Sequence, residues 1–246
     1  HRNLPHSQNM AMSGVDEAAK YESVCKCGKV LIKLECEPIV TFVCYCNDCT
    51  TAAHYIDEKA KAANSSNFSL YKEGEMGAYA ASFWASALRF IKGEDLLVSF
   101  KSLNGKAVRA YSSCCYTCMF AVGGKEFPYH GRGINCNTLR IAATGEVFRP
   151  TPDARVMGMF GRKDHWDAAP NDGVPKSKIV PFFLMIFRLL PKMLFPWFFP
   201  GAGRNKGSQI PGMYNSVKDV TEEIPLTSYH DAGHKLDTKD TANKDK

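Results

Sequence analysis

The sequence has no uninterrupted apolar run of membrane-spanning length, no glycine-rich phosphate loop and no strong charge of either sign. Each absence excludes something. The net charge is +6 and the sequence pI about 8.7, below the value of about 9 that marks a nucleic-acid domain. No nucleic-acid partner is expected. The basic residues Lys176, Lys178, Arg188, Lys192, Arg204 and Lys206 read as solvated surface. Residues 1–20 contain no apolar core of a signal peptide. The first residue is His1 rather than methionine, so the chain is read as a fragment, a processed form or an incomplete frame. Gly131-Arg132-Gly133 is too short to cradle a phosphate.

What is present is an ordinary globular composition with too much cysteine. The 246 residues are 45% hydrophobic and 23% charged, enough for one domain with extensions or at most two. Residues 1–20 are polar and aperiodic, a flexible arm. Residues 21–150 alternate short apolar runs with glycine punctuation, which predicts a mainly β body. A short helix is expected over 50–63, and Asn104-Gly105 is a hairpin signal. Residues 151–178 are polar and read as a linker, and 201–246 as a tail.

Residues 179–200 are strongly apolar, but Pro181, Pro191, Pro196 and Pro200 interrupt any helix there. The longest clean stretch, Phe182–Leu190, would rise only about 14 Å as a helix, roughly half a bilayer core. The segment is expected to lie on a membrane surface through Trp197 and the flanking basic residues, or to dock on the body as core. A true span is the third reading.

There are ten cysteines, and their spacing decides between disulfides and metal. Cys25-Lys-Cys27 and Cys44-Tyr-Cys46-Asn-Asp-Cys49 are too tight for unstrained internal disulfides, but such pairs point thiolates at one ion. A third cluster is Cys114-Cys115-Tyr-Thr-Cys118. Free thiols imply an intracellular reducing compartment, expected to be the cytoplasm. A site of Cys25, Cys27, Cys115 and Cys118 would be a closed staple between segments far apart in sequence. Cys44, Cys46 and Cys49 would leave a fourth position for water, substrate or another protein ligand. Thiolate-only coordination suits zinc, so two zinc ions are expected. Cys36 and Cys136 read as small buried hydrophobes.

An open zinc position lowers the pKa of a bound thiol, and the ensuing chemistry needs an acid or base nearby. The candidates are Asp48, His54, Tyr45 and Tyr55, with Arg109 as a fork for a substrate carboxylate. His130 reads as a turn residue, and His165-Trp166 has no partner motif.

The order Cys-x-Cys-Gly, Cys-x-Cys-x-x-Cys, Cys-x-x-Cys resembles the glutathione-dependent formaldehyde-activating enzyme family, which includes centromere protein V. The resemblance covers about residues 20–150. It implies a zinc-stapled β-tent fold and carbon–sulfur lyase or thiol-adduct chemistry on a small glutathione-like conjugate. It also implies a structural zinc on Cys25, Cys27, Cys115 and Cys118 and a reactive zinc on Cys44, Cys46 and Cys49. Tyr45 and Met119 stand where the family has histidine and glycine. Arg109, Tyr111, Cys114, Cys115 and Thr117 fit a branch that often lacks a cysteine at the position of Cys118, which makes Cys114 an alternative ligand. The competing expectation is a non-enzymatic zinc module that binds a protein, chromatin or a membrane.

Overall fold

A computed structural model describes residues 19–84, 87–102, 107–122, 131–178 and 222–224. These residues form a mainly β body of two sheets. The smaller sheet contains β1 (Tyr21–Val24), β2 (Leu31–Leu34), β5 (Leu88–Lys92) and β10 (Leu139–Ile141), in the order β10-β1-β2-β5. The larger contains β3 (Val40–Cys44), β4 (Ala78–Trp84), β6 (Leu97–Ser102), β7 (Val108–Ser112), β8 (Cys118–Val122), β9 (Gly131–Asn135), β11 (Ala154–Val156) and β12 (Glu222–Ile224). Its order is β11-β3-β4-β9-β8-β7-β6-β12. The pairings are antiparallel except β11 on β3 and β12 on β6, the two outer ones.

Alternation explains the layering. Along a strand, successive side chains take opposite faces. Ile32 and Leu34 of β2 point inward and meet Ala81 and Phe83 of β4, Ala110 of β7, Phe120 of β8 and Ile134 of β9. That core lies between the sheets. The opposite face of the large sheet carries Ala78, Phe100 and Tyr111, covered by Ala52, Ala53 and Ile56 of α1 (Asn47–Ala62). The small alanines let the helix sit close to the strands. The two periods share one chain, so a residue of β7 faces either the inter-sheet core or α1. Ala110 takes the first, and Tyr111 takes the second.

The helix expected over 50–63 begins earlier and absorbs Asp48 and Cys49. β6 and β7 pair as the hairpin reading requires. The segment 151–178 is not a linker. It contributes β11, which pairs in parallel with β3, and a short helix α2 (Lys163–Asp167). Its Ala154, Val156, Trp166 and Ala169 are buried. The polar composition that suggested a linker hides a few apolar residues, each placed inward. Within the span read as tail, Ile224 of β12 is buried against the α1 face. No helix among the described residues is long and apolar enough to cross a membrane. The apolar segment 179–200, residues 1–18 of the arm expected over 1–20, Asn104-Gly105 and His130 lie outside the described residues.

Candidate metal centres

The first cluster forms where two turns meet. Cys25 follows β1, and the chain reverses through Gly28, whose φ of +76° is a left-handed conformation that glycine adopts without cost. The turn closes with Gly28 N–H donating to the Cys25 carbonyl at 2.9 Å, and Val30 N–H donates to Cys25 Sγ at 3.2 Å. The opposing turn joins β7 to β8 and carries Cys114 and Cys115. Sγ separations are 3.6 Å for Cys25–Cys27, 3.3 Å for Cys27–Cys114 and 3.9 Å for Cys25–Cys114. The thiol sulfurs of Cys25, Cys27, Cys114 and Cys115 all lie within 4.8 Å of one another and could hold a metal ion. Cys25 and Cys115 are buried, Cys114 is half-buried and Cys27 is exposed.

Thr117 ties the surroundings together. Its hydroxyl accepts from Lys26 N–H and Phe68 N–H, each at 3.2 Å, and shares a hydrogen bond with Cys115 Sγ. Hydrogen bonding with Cys25, then with Ser112 and Thr117, draws the Cys115 thiol down to about 3, against the opposing effect of burial. The same Cys115 contact, with burial, pushes Cys25 up.

Cys118, expected as the fourth ligand, is outside this group. It opens β8 opposite Tyr111 and points to the α1 face, among Ala52, Ile56 and Phe100. Burial pushes its thiol up to about 12. The fourth thiol of the group is instead that of Cys114, the alternative raised by the doublet. The turn passes through Tyr116 at φ +55°, so that both members of the doublet precede the reversal.

The second cluster sits at the start of a helix. Cys44 ends β3, Cys46 caps α1 and Cys49 lies in its first turn. Cys46 makes no side-chain capping bond, which leaves its thiol for the cluster. The three sulfurs lie within 4.8 Å of one another, with Cys44 to Cys46 at 3.3 Å. The positive end of the helix dipole favours thiolates here. Hydrogen bonds from Cys44 and Cys46, and the charge of Arg109, hold the Cys49 thiol well below its ordinary value. Cys44 is pushed the other way by its bonds to Cys46 and Cys49 and by burial.

Asp48 and Arg109 meet beside this cluster. The guanidinium donates to Asp48 Oδ2 at 2.8 Å and to Oδ1 at 3.2 Å. It also donates to Cys49 Sγ at 3.4 Å and to the Ala107 carbonyl at 3.2 Å. Burial would lower the Arg109 pKa, but the Cys49 thiolate and Asp48 outweigh it and keep the charge in place. Asp48, expected as an acid–base group, and Arg109, expected as a carboxylate fork, are thus paired with each other. His54 is half-buried on α1 and outside the sulfur group. His165 is buried in α2 beside Trp166.

Sequence reasoning missed what supports the second knuckle from behind. Tyr45, between two of the cysteines, is wholly buried and donates to Glu75 Oε2 at 2.6 Å. Arg155 of β11 clamps the same carboxylate through Nε at 2.8 Å and Nη2 at 2.7 Å, and holds Asp172 with its other face. Lys72 completes the set at 2.6 Å from Glu75 Oε1. Isolated charges in stretches that read as loop gave no signal of this. The Tyr45 ring also meets Trp166 edge-on at 5.3 Å.

This support has two measurable consequences. At Gly161 an added Cβ would lie 1.8 Å from the Tyr45 carbonyl oxygen. Gly161→Ala is therefore expected to cost about 1–3 kcal/mol of unfolding free energy in urea titration. It should also perturb the Cys44–Cys46 knuckle, since Tyr45 must move. The second concerns acid. Burial alone would raise the Glu75 pKa, but Arg155, Lys72 and Tyr45 bring it down to about 2. A depressed carboxylate contributes stability that is complete above its unfolded value, about 4.3, and fades as pH falls through the folded one. Urea midpoints should fall between pH 5 and 2, and more steeply for the native chain than for Glu75→Gln.

A surface cavity of about 460 Å³ opens between Phe68, Tyr71, Lys72, Met76, Asn137 and Arg149, with none of the cysteines in its lining.

Fold and site together define a mainly β protein with two cysteine clusters that could hold metal ions. No protein-family model matches the chain, and no curated protein does. Among solved structures it is similar to a crystal structure of a Rhodobacter sphaeroides protein, a structural genomics target, at 17% identity and a TM-score of 0.31, over 48% of this chain and 85% of that one.

Proposed function

We propose that the chain is a two-zinc protein in which the first cluster is a structural staple and the second a reactive site for a small thiol conjugate. The reaction class proposed is carbon–sulfur lysis or thiol-adduct formation, as the resemblance to the glutathione-dependent formaldehyde-activating family implies. The observation that carries the reading is the inequality of the clusters: four thiols gather in one and three in the other. Zinc–sulfur bonds of about 2.3 Å in a tetrahedron put sulfurs about 3.8 Å apart. The first cluster's separations of 3.3, 3.6 and 3.9 Å suit that set. When bound, zinc supplies a Lewis-acid position at which a substrate thiol ionises near neutral pH. Cys44, Cys46 and Cys49 would hold it, with the start of α1 and Arg109 favouring their thiolate forms.

The second reading is a non-enzymatic zinc module. The engagement of Asp48 with Arg109 favours it, since neither then serves as a ready acid, base or substrate fork. One experiment separates the two: zinc content, circular dichroism and turnover of glutathione and cysteine conjugates by the native chain and by Cys46→Ser. The enzyme reading expects the variant to remain folded, to lose one zinc and to lose turnover that the native chain shows. A native chain that turns over nothing, with a variant that unfolds, replaces it with the module.

A further inference from the structure

Arg109 is a deeply buried charge in direct contact with the second cluster, with its side chain 2% exposed while that of Asp48 is 25% exposed. A guanidinium carries five N–H donors and cannot shed its charge, so burial at this depth requires partners arranged around it. The arrangement here is directional. Nη1 donates to Asp48 Oδ1 and to the Ala107 carbonyl, and Nη2 donates to Asp48 Oδ2 and to Cys49 Sγ. The two-pronged contact with the carboxylate fixes the plane of the fork, and the Ala107 carbonyl anchors it to its own strand. With the plane fixed, the remaining Nη2 hydrogen points at one sulfur of the three. The strand register makes this possible: Arg109 and Tyr111 share the α1 side of β7, while Ala110 points to the inter-sheet core. Asp48 belongs to the first turn of α1, one residue before Cys49. The pair therefore links an inner strand of the large sheet to the second knuckle.

We propose that Arg109, oriented by Asp48, is a positioning residue for the second metal site, donating to the Cys49 sulfur from outside the coordination sphere and setting how tightly that site holds its ion. The inference rests on the reading that the second cluster binds a metal. Three thiolates around a divalent ion leave a net negative charge. A buried cation hydrogen-bonded to one of them offsets that charge without occupying a coordination position. Partners in this outer layer alter metal affinity by about 10–100-fold when removed. Because Asp48 already neutralises Arg109, the carboxylate of any substrate has to be recognised by other groups.

The test uses the full chain, loaded with cobalt(II) and then challenged with a zinc chelator series. The second-site signal is defined as the sulfur-to-cobalt absorption lost in Cys46→Ser. Arg109→Met alone would strand Asp48, so the main variant is Arg109→Met combined with Asp48→Asn. Arg109→Lys is the conservative companion. The expected result is a 10–100-fold weaker second site, a shifted second-site absorption, an unchanged first site, and partial recovery of both properties in Arg109→Lys. Unchanged affinity and absorption at the second site overturn the proposal. An equal weakening of both sites, with loss of thermal stability, overturns it as well, because the pair would then only be holding up the fold. A native chain with one ion, seated at the first cluster, defeats the two-zinc reading itself and is distinguishable from either result.

Discussion

Replacing Arg155 with methionine is expected to destabilise the protein by about 3–5 kcal/mol, the usual cost of stranding one member of a buried ion pair. The side chains concerned are nearly sealed, Arg155 at 0% and Glu75 at 1% exposure. Glu75 would keep only Lys72 and Tyr45 as partners. Its carboxylate would then have to rise in pKa or draw in water. The replacement also removes the tie between β11 and the back of the second knuckle, because Tyr45 leans on the same carboxylate. A chevron or urea titration of Arg155→Met checks the magnitude. The double variant Arg155→Met with Glu75→Gln should recover much of the loss, since the charges it leaves unpaired, Asp172 and Lys72, both reach solvent. A loss below about 1 kcal/mol in the single variant would mean that the clamp is solvated in solution.

The second large effect separates two cysteines that lie four positions apart. Cys114→Ser is expected to remove one metal ion and, with it, the cooperative fold around β1 and the β7–β8 turn. Structural zinc contributes apparent free energies of about 10–16 kcal/mol in small zinc peptides, so weakening one site can exceed the whole stability of a domain. Cys118→Val, by contrast, should keep both ions and a native melting profile within a few degrees. Its sulfur is buried at 1% exposure among apolar neighbours, and valine keeps the site apolar with one added heavy atom. Metal analysis with circular dichroism on the two variants gives the answer. The opposite outcome, with Cys118 essential to the ion and Cys114 dispensable, would return the ligand set to the one that spacing alone suggested.

That pair of cysteines also shows what a sequence can and cannot disclose about this molecule. The knuckles at Cys25–Gly28 and Cys44–Cys49 were legible because their ligands are local, and the geometry of a tight turn depends on neighbours in the chain. The β body was legible in its short apolar runs, and in β2 the period of two matches the burial of Ile32 and Leu34. The choice between Cys114 and Cys118 was not, because it depends on where the turn ends and which face of β8 the first residue takes. Glu75 and Arg155 are eighty positions apart and belong to no pattern. Nothing local announces that two isolated charges will share a sealed site. β11 escaped notice for a related reason. Three residues in parallel pairing are too few to show a period, and a polar context outweighs one alanine and one valine. Arg109 was visible as a residue of interest, but its partners were not. Only the tertiary arrangement shows that Asp48 and Cys49 already fill its fork.

The proposed function requires that two separate cysteine clusters each hold an ion. Native mass spectrometry of the full chain, purified without added chelator, tests it most directly. The expected result is a mass increment of two zinc ions in the native protein and of one in Cys46→Ser. A native chain that carries one ion or none, or a Cys46→Ser chain that still carries two, would contradict it.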